Sequence, residues 1–222
     1  MADWATISSL ATAGGTLVLA VATFASVRSA GRAARAAERS LQVGLRPLLM
    51  PSQPQDPSQK IVFIDHYVHT LGGGAVAEVT EEVIYLAISL RNAGSGIAVL
   101  HGWVHHSDRV IDGHHPDVGV FRRLGRDIYV PPGALGFWQG ALRDPAEEAF
   151  TTARDGITER RPMTVDLLYG DHEWGQRTVS RFLVLPTQSE TWIASVSRHW
   201  SLDRPDPRPE EGERGRRHRR RH

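Results

Sequence analysis

Apolar and polar positions follow different patterns along the chain, and the first pattern predicts a membrane span. No residue from Ala5 to Val27 is charged, a run of about 23 residues. A helix rising about 1.5 Å per residue would reach roughly 34 Å over this run, enough to cross a hydrocarbon core of about 30 Å. We therefore predict a transmembrane helix within residues 1–27, with the lipid bilayer as its partner.

Two other interpretations of this run stay open. A cleavable signal peptide carries its positive charges before the apolar run, whereas here they follow it. A helix buried in a soluble core is the second alternative, because Ala, Ser, Thr and Gly make the run only moderately apolar.

Four arginines follow the apolar run at steps of four, three and four residues, which places them on one helical face: Arg28, Arg32, Arg35 and Arg39. We predict a juxtamembrane helix over residues 28–46, broken at Arg46-Pro47, that contacts anionic lipid headgroups. A solvated helix ending near Gly44 is the alternative. Positive charge after the span predicts an N-terminus outside and a C-terminal domain in the cytoplasm.

Small residues recur at every fourth position within the predicted span: Ser8, Thr12, Thr16 and Ala20. Such a stripe lets two helices approach closely and predicts a homo-oligomer formed through the span. The alternative is that small residues are simply common in this segment.

The period changes to two after a Pro-rich and polar linker predicted over residues 47–59. Alternation predicts strands at 60–64, 82–92, 97–106, 119–124, 127–130, 135–142, 163–169, 177–185 and 192–200, with a short helix at 145–154. The glycines of Asn92–Gly96 predict a turn with positive φ that joins 82–92 to 97–106 in a hairpin. A second hairpin is predicted from 163 to 185.

Many short strands with little helix predict a mainly β fold, an antiparallel β-sandwich of Ig-like or barrel-like form over residues 60–202. The candidate core aromatics are Trp103, Phe137, Trp138, Tyr169, Phe182 and Trp192. Residues 203–222 are rich in Pro, Glu and Arg and predict a disordered basic tail.

Four stretches carry a further resemblance: the N-terminal span, the Arg-rich segment ending in RPLLMPS, the strand–turn–strand LRNAGSGIAVLHGW and the hairpin LLYGDHEWGQRTVSRFLV. Together they resemble uncharacterised single-span membrane proteins of high-GC actinobacteria that carry a C-terminal β-rich domain. The resemblance covers most of the chain and rests on structural motifs. It implies the architecture and no activity.

The charge is unevenly distributed over the chain, although the total is only +1. Residues 47–202 carry 13 basic and 18 acidic side chains and are therefore acidic, while both flanks are basic. Lysine is nearly absent, since Lys60 stands alone beside 25 arginines. With no cysteine in the chain, disulfides and thiol chemistry are excluded.

Histidines are the first candidates for chemistry, because imidazole is a common metal ligand. On a strand, His101 and His105 would share one face with Trp103. Solvated loop histidines are the alternative, since the cluster has no recognised ligand spacing. The candidate metal ligands are His101, His105, His114 and His115.

The sequence lacks an essential residue of each catalytic or nucleotide-binding motif that it partly matches. His172-Glu173 lacks the second histidine of HExxH, and Gln176 stands in its place. Gly94-Ser95-Gly96 lacks the third glycine of a dinucleotide fingerprint, and Gly72–Gly74 lacks the lysine of a phosphate loop. Asp166, Asp171 and Glu173 could form a carboxylate cluster, but such acids are usually solvated. The sequence assigns no catalytic residue and no cofactor.

Residues 214–222 contain six arginines in nine positions. They could contact anionic lipid or, less favourably, nucleic acid through its phosphates or an acidic protein. A solubilising tail with no fixed partner is the alternative. The arginines expected at an anionic surface are Arg216, Arg217, Arg219, Arg220 and Arg221, beside the four that follow the span.

These features predict a membrane-tethered, non-enzymatic interaction or scaffold module at the inner face of a bacterial membrane. Two alternatives stay open. One is a tethered metal-dependent enzyme or metal-binding module using the histidines between His101 and His115. The other is nucleic-acid tethering through the tail.

Overall fold

The structure is a computed structural model that describes residues 4–206, without the side chains of residues 4–13, 18 and 39–43. The chain forms two compact units that divide between Gly44 and Leu45. The Arg-rich end of the tail, the side chain of Arg39 and part of the small-residue stripe lie outside the described residues.

The first unit contains one uninterrupted helix, α1, from Trp4 to Gly44. Alanine is frequent and proline absent over these 41 residues, so the helical hydrogen bonds continue through the arginine-bearing stretch. The helix ends at Gly44, two residues before the Arg46-Pro47 break predicted for the juxtamembrane helix. By length and composition, the stretch Gly14–Glu38 could cross a membrane, and none of it is buried. A signal sequence near an N-terminus meets the same criteria.

The second unit is mainly β. Its elements are β1 (Leu49–Pro51), β2 (Gln59–Val62), β3 (Tyr67–Thr70), β4 (Gly74–Val79), β5 (Ile84–Asn92), β6 (Ala98–His106), a 3-10 turn (Val118–Val120), β7 (Arg122–Val130), β8 (Leu135–Leu142), α2 (Glu148–Thr158), β9 (Met163–Asp171), β10 (Arg177–Pro186) and β11 (Trp192–Ser201).

Nine strands form one curled antiparallel sheet. Eight of them follow the order β8-β5-β4-β11-β10-β9-β6-β7, the ninth, β1, also pairs with β5, and β2 pairs with β3 in a separate hairpin. β1 continues the line of β4 along the same edge of β5, and β8 pairs with the opposite edge. β4 and β11 share only two residue pairs, Ala75 with Trp192 and Gly74 with Ile193. The sheet is therefore continuous, with one short link.

Alternate residues of β5 point to opposite faces of the sheet and belong to two different apolar clusters. Leu86 and Ile88 face the main core, which also holds Trp138 and Phe182. Tyr85 and Ala87 on the opposite face pack against the β2–β3 hairpin. β5 is therefore covered on both faces and paired on both edges.

The main core also receives the apolar face of α2. Phe150, Ala153 and Ile157 lie three and four residues apart, the spacing of one helical face, and all three are buried in this core. The helix begins three residues later than the predicted 145–154. Five of the predicted core aromatics are buried, and Phe137 is partly buried between the two clusters.

Several local predictions are confirmed. β8 occupies the predicted residues 135–142, and β9 and β10 form the predicted second hairpin, with Thr178 opposite Tyr169. Residues 122–124 of the first predicted segment and the whole of 127–130 instead belong to one strand, β7, whereas 119–120 lie in the preceding 3-10 turn.

The first predicted hairpin is wrong. β5 pairs with β1, β4 and β8, whereas β6 pairs with β7 and β9. The turn between them crosses over the segment Leu45–Leu48, and an added Cβ at Gly96 would lie 1.7 Å from the Leu45 carbonyl oxygen. Neither Gly94 nor Gly96 has positive φ. These glycines permit close approach of two backbones instead.

The predicted boundaries at 47–59 and 203–222 are also corrected. Leu49 is fully buried and β1 pairs with β5, so the first part of the predicted linker belongs to the fold. At the other end, Arg177 Nη2 donates to Asp203 Oδ1 at 2.9 Å, so the folded chain continues into the predicted tail.

Candidate functional site

The predicted histidine ligands are dispersed. A register shift in β6 after Leu100 removes His101 from the face of Trp103, and the His101 ring stacks on Trp174 with centroids 4.8 Å apart. The expectation that His101 shares a face with Trp103 and His105 is therefore wrong, whereas the register between Trp103 and His105 is regular. His115 packs edge-on against Trp200, and the His114 carbonyl accepts a hydrogen bond from Arg181.

Burial lowers the pKa of two histidines on β6, His101 and His105. It lowers the pKa of the His105 ring to about 4, and the nearby charges of His106 and Arg122 act in the same direction. Burial also lowers the pKa of His101, which the carboxylate of Asp127 partly opposes. Among the described side chains, no three His, Asp or Glu groups come together as a metal site.

The three acids of the predicted carboxylate cluster have separate structural roles. Asp166 is fully buried and paired with Arg181. Asp171 accepts a hydrogen bond from the Gly175 amide at 2.7 Å and shapes the β9–β10 turn. Glu173 is exposed, 3.9 Å from His172. Nothing in this arrangement aims two carboxylates at a common point.

The feature best suited to bind a ligand is the space between β7 and β8, which we call the seam cleft. The two strands are joined by the short segment Pro131–Ala134, yet within the described chain β7 pairs only with β6 and β8 only with β5. At the turn end they touch, since an added Cβ at Gly136 would lie 2.5 Å from Val130 Cγ2. Towards the other end they enclose a cavity of about 540 Å³.

A wide irregularity in β7 contributes to the opening. Leu100 pairs with Ile128 and Gly102 with Arg123, so a single β6 residue stands opposite four residues of β7. These four residues, 124–127, include Gly125, where an added Cβ would meet nothing within 4 Å. β7 therefore departs from β6 where it lines the cleft.

Four arginines line the seam cleft: Arg122, Arg123, Arg126 and Arg143. Arg122 pairs with Glu147, and Arg143 forms two hydrogen bonds to Asp65 at 2.7 and 2.8 Å. Arg143 thereby holds the pKa of the Asp65 carboxyl well below its usual range. Within the described residues, neither Arg123 nor Arg126 has an acidic partner. The cleft is thus positively charged on an otherwise acidic domain.

The remaining lining is apolar with one polar exception. Trp103, Leu124, Ile128 and Phe63 contribute apolar surface, and the Trp103 indole lies 5.3 Å from that of Trp138. Gly140 leaves room for both rings, because an added Cβ would lie within 3 Å of each. Gln139 Oε1 is buried and has no hydrogen-bond partner in the described structure.

The predicted lipid-facing arginines are not among the described residues that line this cleft. Arg28, Arg32 and Arg35 are exposed on α1. The arginines of residues 216–221 lie outside the described chain. Sequence analysis missed the seam cleft altogether. The available signal was the Arg122-Arg123-x-x-Arg126 spacing beside a glycine, which also fits an ordinary solvent-facing strand.

Comparison of the chain with protein-family models, with curated proteins and with solved structures finds no match.

Proposed function

We propose that this protein is a membrane-tethered, non-enzymatic interaction module whose domain binds an anionic partner in the seam cleft. The observation that carries the proposal is the cleft itself, which within residues 4–206 has two unpaired strand edges, an apolar floor and two arginines without acidic partners. Cavities of several hundred Å³ with a few convergent polar groups are typical of binding sites. Catalysis would require a nucleophile or a general base in the cleft, and its lining supplies neither.

The tether is supported by α1. Its stretch Gly14–Glu38 is long and apolar enough to cross a bilayer, and none of its described residues is buried. Arg28, Arg32 and Arg35 lie at the C-terminal end of the apolar run, which supports a cytoplasmic C-terminal domain and contact with anionic headgroups. The arginines of residues 214–222 would add a second contact with the same lipid surface.

The finer architecture belongs to the same proposal. The two-residue link between β4 and β11 supports a two-layered sandwich, in which the strands around β5 face those around β9. Self-association through the small residues of α1 would place several seam clefts on one assembly.

Centrifugation and protease protection test the tether. We expect the full-length chain in the pellet of a detergent-free lysate spun at high speed, and we expect external protease to spare the domain in intact spheroplasts. Recovery in the supernatant would contradict the membrane span. Digestion in spheroplasts would reverse the topology.

A charge-reversal pair tests the cleft. Full-length protein in neutral detergent micelles is titrated with fluorescent poly-glutamate at low salt. We expect R123E/R126E to weaken binding about tenfold or more, since two unscreened charges are inverted at the site. The matched control is R109E/R154E, which changes two exposed arginines outside the cleft by the same net charge. Equal weakening by both pairs would indicate a non-specific charge effect and overturn the cleft as the site.

A further inference from the structure

The seam cleft has an unusual boundary, because both of its walls are strand edges. β7 uses one edge for β6 and β8 uses one edge for β5, so the two remaining edges face each other across the cavity. The backbone N–H and C=O groups along an unpaired edge are a template for another strand. Proteins that recognise extended peptides commonly do so by adding them to such an edge.

The size of the cavity fits a short extended segment. On the β7 side, every residue from 122 to 126 lines the cavity. At about 3.3 Å per residue, five residues correspond to roughly 17 Å of extended chain. Since β7 and β8 run antiparallel to each other, a segment between them would be parallel to one and antiparallel to the other.

The lining chemistry selects among anionic ligands. Arg123 and Arg126 can bind carboxylates or phosphates. The buried Gln139 Oε1 is a hydrogen-bond acceptor and requires a hydrogen-bond donor from the ligand. A peptide backbone presents an N–H group at every residue and so supplies that donor. Leu124 and Ile128 offer apolar surface to side chains on the second face of the added strand. A phospholipid headgroup meets the arginines but leaves both strand edges unpaired.

We propose that the seam cleft binds an extended acidic segment of a protein partner, with apolar side chains at alternate positions, as an additional strand between β7 and β8. This inference rests on the proposed function and names the ligand class of the same site.

The test uses full-length protein in neutral detergent micelles and a fluorescent six-residue peptide of alternating Glu and Val with blocked ends. We expect saturable binding that R123E/R126E weakens about tenfold or more and R109E/R154E leaves unchanged. The same peptide with alternate backbone amides N-methylated should also bind about tenfold more weakly, because it keeps every charge but loses strand hydrogen bonds.

Hydrogen exchange provides a second measurement. The bound peptide should slow exchange at amides within Arg122–Arg126 and Gln139–Ala141. Dihexanoyl phosphatidylglycerol should neither displace the peptide nor produce this protection.

The outcomes separate the two proposals. If poly-glutamate binding responds to R123E/R126E but N-methylation has no effect and the strand amides stay unprotected, the site is anionic without strand addition and this inference fails. Displacement by the phospholipid would identify a lipid site and also overturn it. Failure of every anionic probe to bind overturns the proposed function as well.

Discussion

Arg181 donates two parallel hydrogen bonds to the carboxylate of Asp166, from Nε to Oδ1 at 2.8 Å and from Nη2 to Oδ2 at 2.9 Å. Their side chains are 3% and 0% exposed. The same guanidinium donates to Asp112 Oδ1 at 2.6 Å and to the His114 carbonyl. One buried ion pair thus connects β9 and β10 to the loop that follows β6.

Removing one member of this pair should be costly. Arg181→Met leaves the Asp166 carboxylate buried without its partner, and we expect a loss of about 3–5 kcal/mol in the free energy of unfolding. The double variant Arg181→Met/Asp166→Leu should recover most of this loss, because no buried charge remains. Denaturant unfolding in detergent measures both. A single variant within about 1 kcal/mol of the original protein would contradict the expectation.

Asn92 holds the crossover between β5 and β6. Its fully buried side chain accepts hydrogen bonds from the Leu48 and Gly94 amides and donates to the carbonyls of Gly96 and Val130. Asn92→Ala should lower the free energy of unfolding by about 3 kcal/mol, because several buried backbone groups lose their partner. The comparison variant is Asn92→Asp, which keeps the acceptor but turns a second oxygen towards two carbonyls. It should not rescue stability, and rescue would show that the donated bonds matter little.

Gly96 is required for close packing with Leu45. Because an alanine Cβ would lie 1.7 Å from the Leu45 carbonyl oxygen, Gly96→Ala must shift one backbone segment. We expect a loss on the order of 3 kcal/mol in unfolding free energy. Gly125→Ala is the control, since the added methyl meets nothing within 4 Å. It should change stability by about 0.5 kcal/mol at most. Equal effects would disprove the close approach.

His105 should make stability depend on pH. Its folded pKa of about 4 lies below the ordinary 6.5, so the unfolded chain takes up the proton first as pH falls. The stabilising contribution of the neutral ring is therefore complete above about pH 6.5 and is lost towards pH 4.

Unfolding at pH 7 and pH 5 tests this expectation. Linkage predicts a loss of about 2 kcal/mol between these pH values that His105→Leu abolishes. An unchanged difference in the variant would show that the pH dependence arises from other groups.

Local patterns in the sequence identify elements better than partners. The alternation of 135–142 matches β8, and the loop 170–175 correctly indicates the β9–β10 hairpin. β4 was not predicted because four of the six residues in its sequence GAVAEV are Gly, Ala or Glu, which are depleted in strands. The pairing partners of β5 and β6 depend on a tertiary contact, the packing of residues 45–48 against the turn between β5 and β6. The residue pattern within either strand does not predict this contact.

The seam cleft could not be predicted for a related reason. It exists because two strands joined by a short turn do not pair, and nothing in the polarity of β7 or β8 distinguishes this from an ordinary hairpin. The arginines of β7 were present in the sequence, but their alignment with Gln139 is a tertiary property. The predicted shared face of His101 and Trp103 was wrong for a local reason. One register shift at His101 changed the direction of its side chain.

The position of β5 has a consequence for cooperativity. Because β5 contributes residues to both the main core and the hairpin cluster, unfolding of the main core also removes the surface on which the hairpin packs. The β2–β3 hairpin, too small to be stable alone, therefore cannot outlast the large sheet.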